Sequence, residues 1–187
     1  MPIGVLALQG DVREHLKVLN DLGESAIKVR TEQQLGLCEG LIIPGGESTT
    51  ISKLLVNFDM LEPVRQFAKE KPVLGTCAGL ILLSDRVNGR LADQELIGGL
   101  PIVVERNAYG GQTHSFEAEV AFPEVTERVA FIRAPKIVDA GTAEVIAKMG
   151  EEVVALRFGD LFGASFHPEL TGATELHRLF VEAVKSQ

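Results

Sequence analysis

The chain has 187 residues, 45% of them hydrophobic and 24% charged, which is the composition of a globular protein large enough to bury a core. Its net charge of -8 disfavours a general nucleic-acid-binding protein, because a negative field repels phosphate backbones. No apolar run approaches the ~20 residues of a membrane span. With two cysteines in unrelated contexts, we expect a cytoplasmic protein that forms a single domain, residues 1–187, without membrane or nucleic-acid partners.

Short apolar runs alternate with amphipathic segments in the first half of the chain. Buried strands are predicted at four such runs: residues 3–8, 26–30, 41–43 and 72–75. Helices are predicted between and after them, and three polar residues are candidate caps: Asp11, Thr31 and Asp59. This alternation indicates an α/β fold with a mostly parallel central sheet and helices on both faces.

The second half is richer in short strands, which favours a few antiparallel additions to the sheet. These strands are predicted at residues 102–104, 116–122, 130–133, 145–147, 153–155 and 161–166. A hairpin loop is expected at 150–152, and Thr174 should begin a final helix. The segment from Asp85 to Glu95 has the weakest pattern, and we expect it to be a mobile surface loop.

The segment Gly75-Thr76-Cys77-Ala78-Gly79 lies between an apolar strand and an apolar helix. A nucleophile flanked by small residues in this way is typical of a tight turn that exposes it at the carboxyl end of a sheet. The N–H groups that begin the next helix would stabilise both a thiolate and an oxyanion. A buried structural cysteine in a glycine-rich turn is the alternative.

His167 and Glu169 follow the last apolar run, two residues apart. A cysteine nucleophile needs a histidine to take its proton and a carboxylate to orient that histidine. Pro168 favours an extended His167, and residues i and i+2 of an extended segment point to the same side. The order Cys–His–Glu therefore predicts a triad, although this histidine–glutamate spacing is common by chance.

The segment Pro44-Gly45-Gly46-Glu47-Ser48-Thr49-Thr50 follows another apolar strand. Paired glycines leave backbone N–H groups open to a ligand, which fits an oxyanion-hole and substrate loop. A phosphate cradle is the alternative. It is weakened because no lysine follows the glycines and because Glu47 would repel a phosphate.

The remaining histidines and the second cysteine give weaker signals. We expect His15 and His177 to face solvent on amphipathic helices, and His114 to lie in a polar turn. Cys38 has no basic neighbour and is expected to be inert. No group of residues has metal-ligand spacing, so no metal site is predicted.

Taken together, the Cys77 turn, the His167–Glu169 pair and the Gly-Gly loop resemble the class I (triad) glutamine amidotransferases. Further segments are similar to the glutaminase subunits of pyridoxal 5'-phosphate synthases (PdxT type): residues 8–10 with 13–15, 104–107, 115–118, 131–135 and 165–170. The similarity covers nearly the whole chain. The cysteine turn is shared across the superfamily, whereas three segments are typical of this subfamily: Gly45-Gly46-Glu47-Ser48-Thr49, Val104-Glu105-Arg106-Asn107 and residues 131–135.

The resemblance implies a flavodoxin-like three-layer sandwich that hydrolyses L-glutamine to L-glutamate and ammonia without a cofactor. The ammonia would pass to a synthase subunit, a (β/α)8 barrel in a hetero-oligomer that builds pyridoxal 5'-phosphate from a pentose phosphate and a triose phosphate. Cys77, His167 and Glu169 would form the triad, and the N–H groups of Gly46 and Ala78 the oxyanion hole. Six residues would contact glutamine: Gly46, Glu47, Ser48, Arg106, Ile132 and Arg133.

Three other functions stay open at this point. A cysteine peptidase or deglycase of the wider superfamily would share the fold, but such enzymes usually lack the histidine–glutamate pair and this Gly-Gly loop. A non-catalytic binding module would not need an intact set of Cys77, His167 and Glu169. A thiol redox sensor built on Cys77 would not need Glu169.

Overall fold

The computed structural model describes residues 1–106 and 115–187. Asn107 and His114 lie outside the described residues. Within the two ranges the strands are β1 (Ile3–Leu6), β2 (Ala26–Val29), β3 (Gly40–Ile43), β4 (Val73–Thr76), β5 (Ser84–Asn88), β6 (Leu100–Glu105), β7 (Ser115–Ala121), β8 (Thr126–Ile132), β9 (Lys136–Asp139), β10 (Glu144–Met149), β11 (Glu152–Phe158) and β12 (Leu161–Ala164). The helices are α1 (Val12–Asp21), α2 (Glu32–Leu35), α3 (Ser48–Asn57), α4 (Leu61–Glu70), α5 (Ala78–Leu83) and α6 (Glu175–Lys185), and a 3-10 turn spans Pro168–Leu170.

A nine-stranded sheet in the order β2-β1-β3-β4-β12-β11-β10-β7-β8 forms the centre of the molecule. The strands from β2 to β12 pair in parallel, and those from β12 to β8 pair antiparallel. A second, smaller sheet has the strand order β5-β6-β9. The predicted parallel sheet with antiparallel additions is therefore confirmed.

Helices cover both faces of the large sheet because successive residues of its buried strands point to opposite sides. Ile42 of β3 packs with Leu19 of α1 and Phe180 of α6 on one face. Its neighbour Leu41 packs with Ile51 of α3 on the other face, where α2, α4, α5 and the small sheet also lie. Each such side chain, once fully buried, contributes roughly 1.5–3 kcal/mol to folding.

Two predictions about local structure are wrong. Within the segment 85–95, expected to be a loop, residues 85–88 belong to strand β5, because Ser84 to Asn88 pair in parallel with β6, a partner that local polarity does not reveal. Residues 89–95 contain no helix or strand. Asp59 does not cap α4; it adopts a positive φ of 54°, and Met60 is the N-cap residue without a side-chain hydrogen bond. Thr31 does cap α2, by accepting a hydrogen bond from the N–H of Gln34 at 3.3 Å. Across the described ranges, no helix has both the length and the apolarity needed to cross a bilayer.

Helix α6 begins at Thr174 as predicted, but the threonine side chain does not cap it. The carboxylate of Glu127 on β8 accepts hydrogen bonds from the N–H groups of Thr174 and Glu175 at 2.9 and 3.1 Å. A carboxylate at a helix N-terminus satisfies unpaired donors and interacts favourably with the helix dipole. Glu127 thus joins the antiparallel end of the sheet to α6.

We therefore expect Glu127→Ala to lower the free energy of unfolding by about 1 kcal/mol, the usual loss for a helix cap. Glu117→Ala is the matched control, because Glu117 lies on the neighbouring strand β7, where its carboxylate forms an exposed ion pair with Arg128. Its loss should stay within about 0.5 kcal/mol. Urea unfolding followed by circular dichroism measures both, and equal losses would contradict the capping role.

Candidate active site

The loops that follow β1, β3 and β4 meet at the carboxyl ends of the parallel strands, where open α/β sheets place their ligands. They surround a cavity of about 280 Å³, which is close to the smallest ligand sites, of roughly 300 Å³. The cavity is lined by Gln9, Gly10, Asp11, Gly46, Glu47, Ser48, Cys77, Ala78, Ile81, Arg106, Ile132, Arg133, His167 and Leu170. Nine of the sequence-predicted site residues therefore surround one cavity, and the tenth, Glu169, lies behind His167.

Cys77 stands at the turn between β4 and α5, as the glycine pattern predicts. Its φ of 48° and ψ of -98° are unusual for a residue with a side chain, and the N–H of Cys77 donates to the carbonyl of Ala164 at 2.8 Å. A Cβ at position 75 would come within 2.5 Å of the Gly79 backbone, so the turn requires glycine there. Ala78 is the first residue of α5, and its N–H is one of the free donors at the helix start.

His167 is positioned through its backbone and through its ring. Its N–H donates to the carbonyl of Ala130 on β8 at 2.8 Å, and its Nδ1 lies 2.8 Å from Oε1 of Glu169. The extended conformation predicted for this segment is wrong beyond His167, because residues 168–170 form a 3-10 turn. Proline suits the first position of a helical turn, and the turn brings the Glu169 carboxylate back to the ring.

Asp11 is the site residue that the sequence reasoning assigned differently, as a helix cap. Its side chain makes no cap bond, and Oδ2 lies 3.3 Å from Nδ1 of His167. Burial by itself lowers the pKa of His167, but hydrogen bonds with Asp11, Cys77 and Glu169 outweigh it and raise this pKa to about 12. Burial also raises the pKa of Glu169, against the hydrogen bond with His167. The sequence feature that could have indicated Asp11 as a site residue is its position in the loop directly after β1, at the carboxyl end of the strand.

The Gly-Gly loop ends in a helix cap. Burial favours the protonated form of Glu47, yet hydrogen bonds from Thr49 and Thr50 lower its pKa to about 2. Its carboxylate accepts from the N–H of Thr50 at 2.7 Å and lies 3.5 Å from a guanidinium nitrogen of Arg106. The helix N-terminus that a phosphate cradle would use is thus already occupied by Glu47, which removes that alternative.

The orientation of the peptide between Gly45 and Gly46 is defined by a neighbouring loop. The carbonyl of Gly45 accepts a hydrogen bond from the N–H of Asp11 at 3.1 Å, so the N–H of Gly46 points the opposite way, as in any trans peptide. Gly46 has a φ of 153°, and a Cβ there would lie 2.5 Å from Oε1 of Gln9. That oxygen accepts from the N–H of Glu47 at 2.9 Å.

Two residues from β8 and the loop after it complete the cavity. The carbonyl of Ile132 lies 3.8 Å from Sγ of Cys77, and Arg133 has a positive φ of 46°. A positive φ on a residue other than glycine costs about 1–3 kcal/mol and is found where surrounding structure requires it. The exposed Arg133 thus adds a cation to the cavity lining.

The prediction that His15 and His177 face solvent is wrong, because both are fully buried. Nδ1 of His15 lies 2.9 Å from Nε2 of His177. Cys38 is also buried, its Sγ donates to the carbonyl of Gln34 at 3.3 Å, and burial raises its pKa, which disfavours the reactive thiolate.

One group of side chains among residues 1–106 and 115–187 has ligand atoms close enough to hold a metal ion: Asp11, His167 and Glu169. Both carboxylates face the same nitrogen, Nδ1 of His167, and the Glu169 oxygen is within hydrogen-bond distance of it. A ring N–H donated to a carboxylate leaves that nitrogen without a lone pair for a metal. The absence of a metal stays a prediction.

Comparison with known proteins gives concordant matches. The family model described as SNO glutamine amidotransferase family matches residues 5–186. Relatives named pyridoxal 5'-phosphate synthase subunit PdxT are 50% identical in Nocardioides sp., over 99% of this chain and 96% of theirs, and 52% identical in Frankia alni, over 98% and 95%.

Solved structures agree with these matches. One described as the crystal structure of glutamine amidotransferase has a TM-score of 0.92 at 42% identity, over 99% of this chain and all of that one. The structure of PurLQS from Thermotoga maritima has a TM-score of 0.70 at 15% identity, over 97% and 98%, and shows the fold alone. The predicted class I glutamine amidotransferase fold is confirmed. The chain belongs to the SNO glutamine amidotransferase family.

Proposed function

We propose that Cys77, His167 and Glu169 hydrolyse L-glutamine to L-glutamate and ammonia, and that a synthase subunit uses the ammonia to make pyridoxal 5'-phosphate. The observation that carries this proposal is the single cavity in which Cys77 and His167 meet, with Glu169 hydrogen-bonded behind the imidazole. The chain is a glutaminase by family. Which residues perform the reaction is the proposal.

The reaction begins when His167 takes the thiol proton and Sγ of Cys77 attacks the side-chain amide carbon of glutamine. A carbon–sulfur bond forms and the amide carbonyl becomes an oxyanion. When the carbon–nitrogen bond breaks, His167 gives its proton to the departing ammonia and a thioester remains. His167 then takes a proton from water, which attacks the thioester carbon. The carbon–sulfur bond breaks, glutamate is released, and His167 returns the proton to Sγ of Cys77. Glu169 holds the tautomer with the proton on Nδ1.

The oxyanion needs two donors that are in place before charge develops. The N–H of Ala78 begins α5 beside Cys77, and the Gly46 peptide lies in the same cavity lining. We assign these two N–H groups to the oxyanion hole. Removing one such donor costs about 10²–10³ in rate.

The charges of the cavity fit the zwitterionic end of glutamine. We assign Arg106 and Arg133 to the α-carboxylate, because guanidinium groups bind carboxylates in pairs of hydrogen bonds. Glu47 stays ionised and suits the α-ammonium. Gly46, Ser48 and Ile132 line the same cavity, and they complete the proposed glutamine contacts.

The names of the relatives in Nocardioides sp. and Frankia alni describe a subunit of pyridoxal 5'-phosphate synthase. A synthase partner follows for this chain, and we propose that the partner is a (β/α)8 barrel in a hetero-oligomer. We also propose that residues 1–187 act as one glutaminase domain, since both core clusters pack against the same nine-stranded sheet. A cytoplasmic location stays a prediction of the sequence.

Cys77→Ala should reduce glutamate release to the uncatalysed background, because without the thiol no thioester can form. Losses on the order of 10⁶-fold accompany removal of a triad nucleophile. Glutamate is assayed with the synthase partner present. Cys38→Ala is the control, since Cys38 is the other free cysteine and lies outside the cavity. Turnover by Cys77→Ala above background would exclude Cys77 as the nucleophile.

Glu169→Gln should lower kcat by roughly 10²–10⁴-fold, because the amide no longer stabilises the imidazolium or its tautomer. A glutamine-analogue electrophile should still label Cys77, although slowly. Asp11→Asn is the comparison, and we expect a much smaller loss because Asp11 is more distant from Nδ1 and partly exposed. Full-rate turnover by Glu169→Gln would remove Glu169 from the triad.

The Gly45–Gly46 peptide can serve as a switch, because glycines allow it to turn over at low cost. We expect the synthase to raise kcat of the glutaminase by about 10²–10³-fold, and Gly46→Ala to blunt that rise. Gly23→Ala is the control, since Gly23 also has a positive φ, 79°, but no atom near its Cβ position. Steady-state kinetics with and without the synthase measure the effect. Equal kcat values for the wild type in both conditions would contradict the switch.

A further inference from the structure

Two histidines that the proposed reaction does not use form a buried pair on the α1–α6 side of the sheet. His15 lies on α1 and His177 on α6, 162 positions apart in sequence. Their rings are 5.1 Å apart between centroids, and Nδ1 of His15 is within hydrogen-bond distance of Nε2 of His177. Both rings are without solvent exposure. Two buried polar rings in contact are costly unless their hydrogen bonds are satisfied.

The other nitrogen of His15 connects this pair to the triad. Nε2 lies 3.1 Å from Oγ1 of Thr76, the residue before Cys77. It also lies 3.5 Å from Oε1 of Glu169. That oxygen is the one that accepts from Nδ1 of His167 at 2.8 Å. A continuous path of polar contacts therefore leads from His177 through His15 to Glu169.

Both histidines are neutral near pH 7. Burial lowers the pKa of His177 to about 4, and burial together with the neighbouring His177 and His167 lowers the pKa of His15 well below its ordinary value. A neutral imidazole carries one N–H and one lone pair, so in the hydrogen bond between the two histidines one ring must donate and the other must accept.

The surroundings select one direction. With the proton of His15 on Nε2, that N–H faces Thr76 and the Glu169 carboxylate, and Nδ1 accepts from Nε2–H of His177. Nδ1 of His177 is then a bare lone pair, which agrees with its lack of a hydrogen-bond partner among residues 1–106 and 115–187. The opposite direction would bury an unpaired N–H at Nδ1 of His177 and set a lone pair against a carboxylate.

We propose that His15, oriented by His177, is a positioning residue of the glutaminase: its Nε2–H holds Glu169 in place and keeps it ionised. The proposal rests on the proposed triad. Among residues 1–106 and 115–187, the charged or titratable groups that face Glu169 are His167, Asp11 and His15. His167 favours the carboxylate and Asp11 opposes it. The N–H of Glu169 itself also favours the carboxylate. His15 adds an N–H that lies 3.5 Å from Oε1, and Oε2 of Glu169 has no partner in the part of the chain that the structure describes.

His15→Leu and His15→Gln test the proposal in the complex with the synthase. Leucine removes the donor, whereas the glutamine amide can place an N–H where Nε2 stands. We expect His15→Leu to lower kcat at pH 7 by about 10-fold, because it removes the N–H that faces Thr76 at 3.1 Å and the Glu169 carboxylate at 3.5 Å. The KM for glutamine should stay within about twofold, because His15 does not line the cavity.

The pH profile separates positioning from a merely structural role. Loss of a donor raises the pKa of Glu169, so the acidic limb of kcat should move to higher pH by about one unit or more in His15→Leu. His15→Gln should restore the limb and most of the turnover. An unshifted limb in His15→Leu, or a glutamine variant as impaired as the leucine variant, would overturn the proposal.

Wild type and Cys77→Ala are assayed in parallel. Turnover by Cys77→Ala would overturn the proposed nucleophile, whereas a silent Cys77→Ala with an unaffected His15→Leu would overturn the positioning role alone. If His15→Leu does not fold, an NMR spectrum of the wild-type protein still tests the proposal. In protein with ¹⁵N-labelled histidine, we expect a neutral His15 that carries its proton on Nε2 at pH 7. A charged ring, or a proton on Nδ1, would overturn the proposal.

Discussion

The backbone of the loop after β1 lies directly against the backbone of the loop after β3, with no room for a side chain between them. A Cβ on Gly10 would overlap the carbonyl oxygen of Gly45, and a Cβ on Gly45 would overlap the ring of His167. This contact allows the N–H of Asp11 to reach the Gly45 carbonyl and brings the Asp11 carboxylate to Nδ1 of His167. The other site residues follow the ends of separate strands. The distances between Asp11, the Gly45–Gly46 peptide and His167 therefore depend on the close contact between these two loops.

Electrostatic repulsion is a second constraint. The protein has a net charge of -8, and three carboxylates, Asp11, Glu47 and Glu169, lie around His167 and the cavity. Each carboxylate is stabilised differently. Glu47 is held by the N-terminus of α3, Asp11 is partly exposed to solvent, and Glu169 is buried against His167. Arg106, which lies 3.5 Å from Glu47, and Arg133 add positive charge to the cavity lining. In the proposed reaction, this arrangement separates the region that binds the zwitterionic end of glutamine from the region where a proton moves.

Much of this arrangement could be predicted from the sequence because its signals are local. Buried parallel strands are apolar runs, and the Cys77 turn shows its small neighbours. The position of β5 could not be predicted, because Ser84 to Asn88 gain their strand structure from a partner more than ten residues away. His15 was misassigned although it stands three residues after Val12 and four before Leu19, the spacing of the buried face of α1. Histidine is polar, and the prediction followed that polarity rather than the helical spacing of the buried positions. The error hid the contact with His177, which no local pattern contains.

Glu169 gives Nδ1 of His167 a strong acceptor, and a strong acceptor also works against the reaction. An imidazolium that is held too tightly gives its proton slowly to ammonia, because transfer is efficient when the two pKa values are close. The oxygen that accepts from His167 also faces Nε2 of His15. A donor there disperses the negative charge, so Glu169 remains ionised while its hold on the imidazolium weakens. A lysine or arginine would instead draw the carboxylate into an ion pair. Burial keeps His15 a neutral donor, and the burial of the histidine pair therefore serves the chemistry that we propose at Cys77.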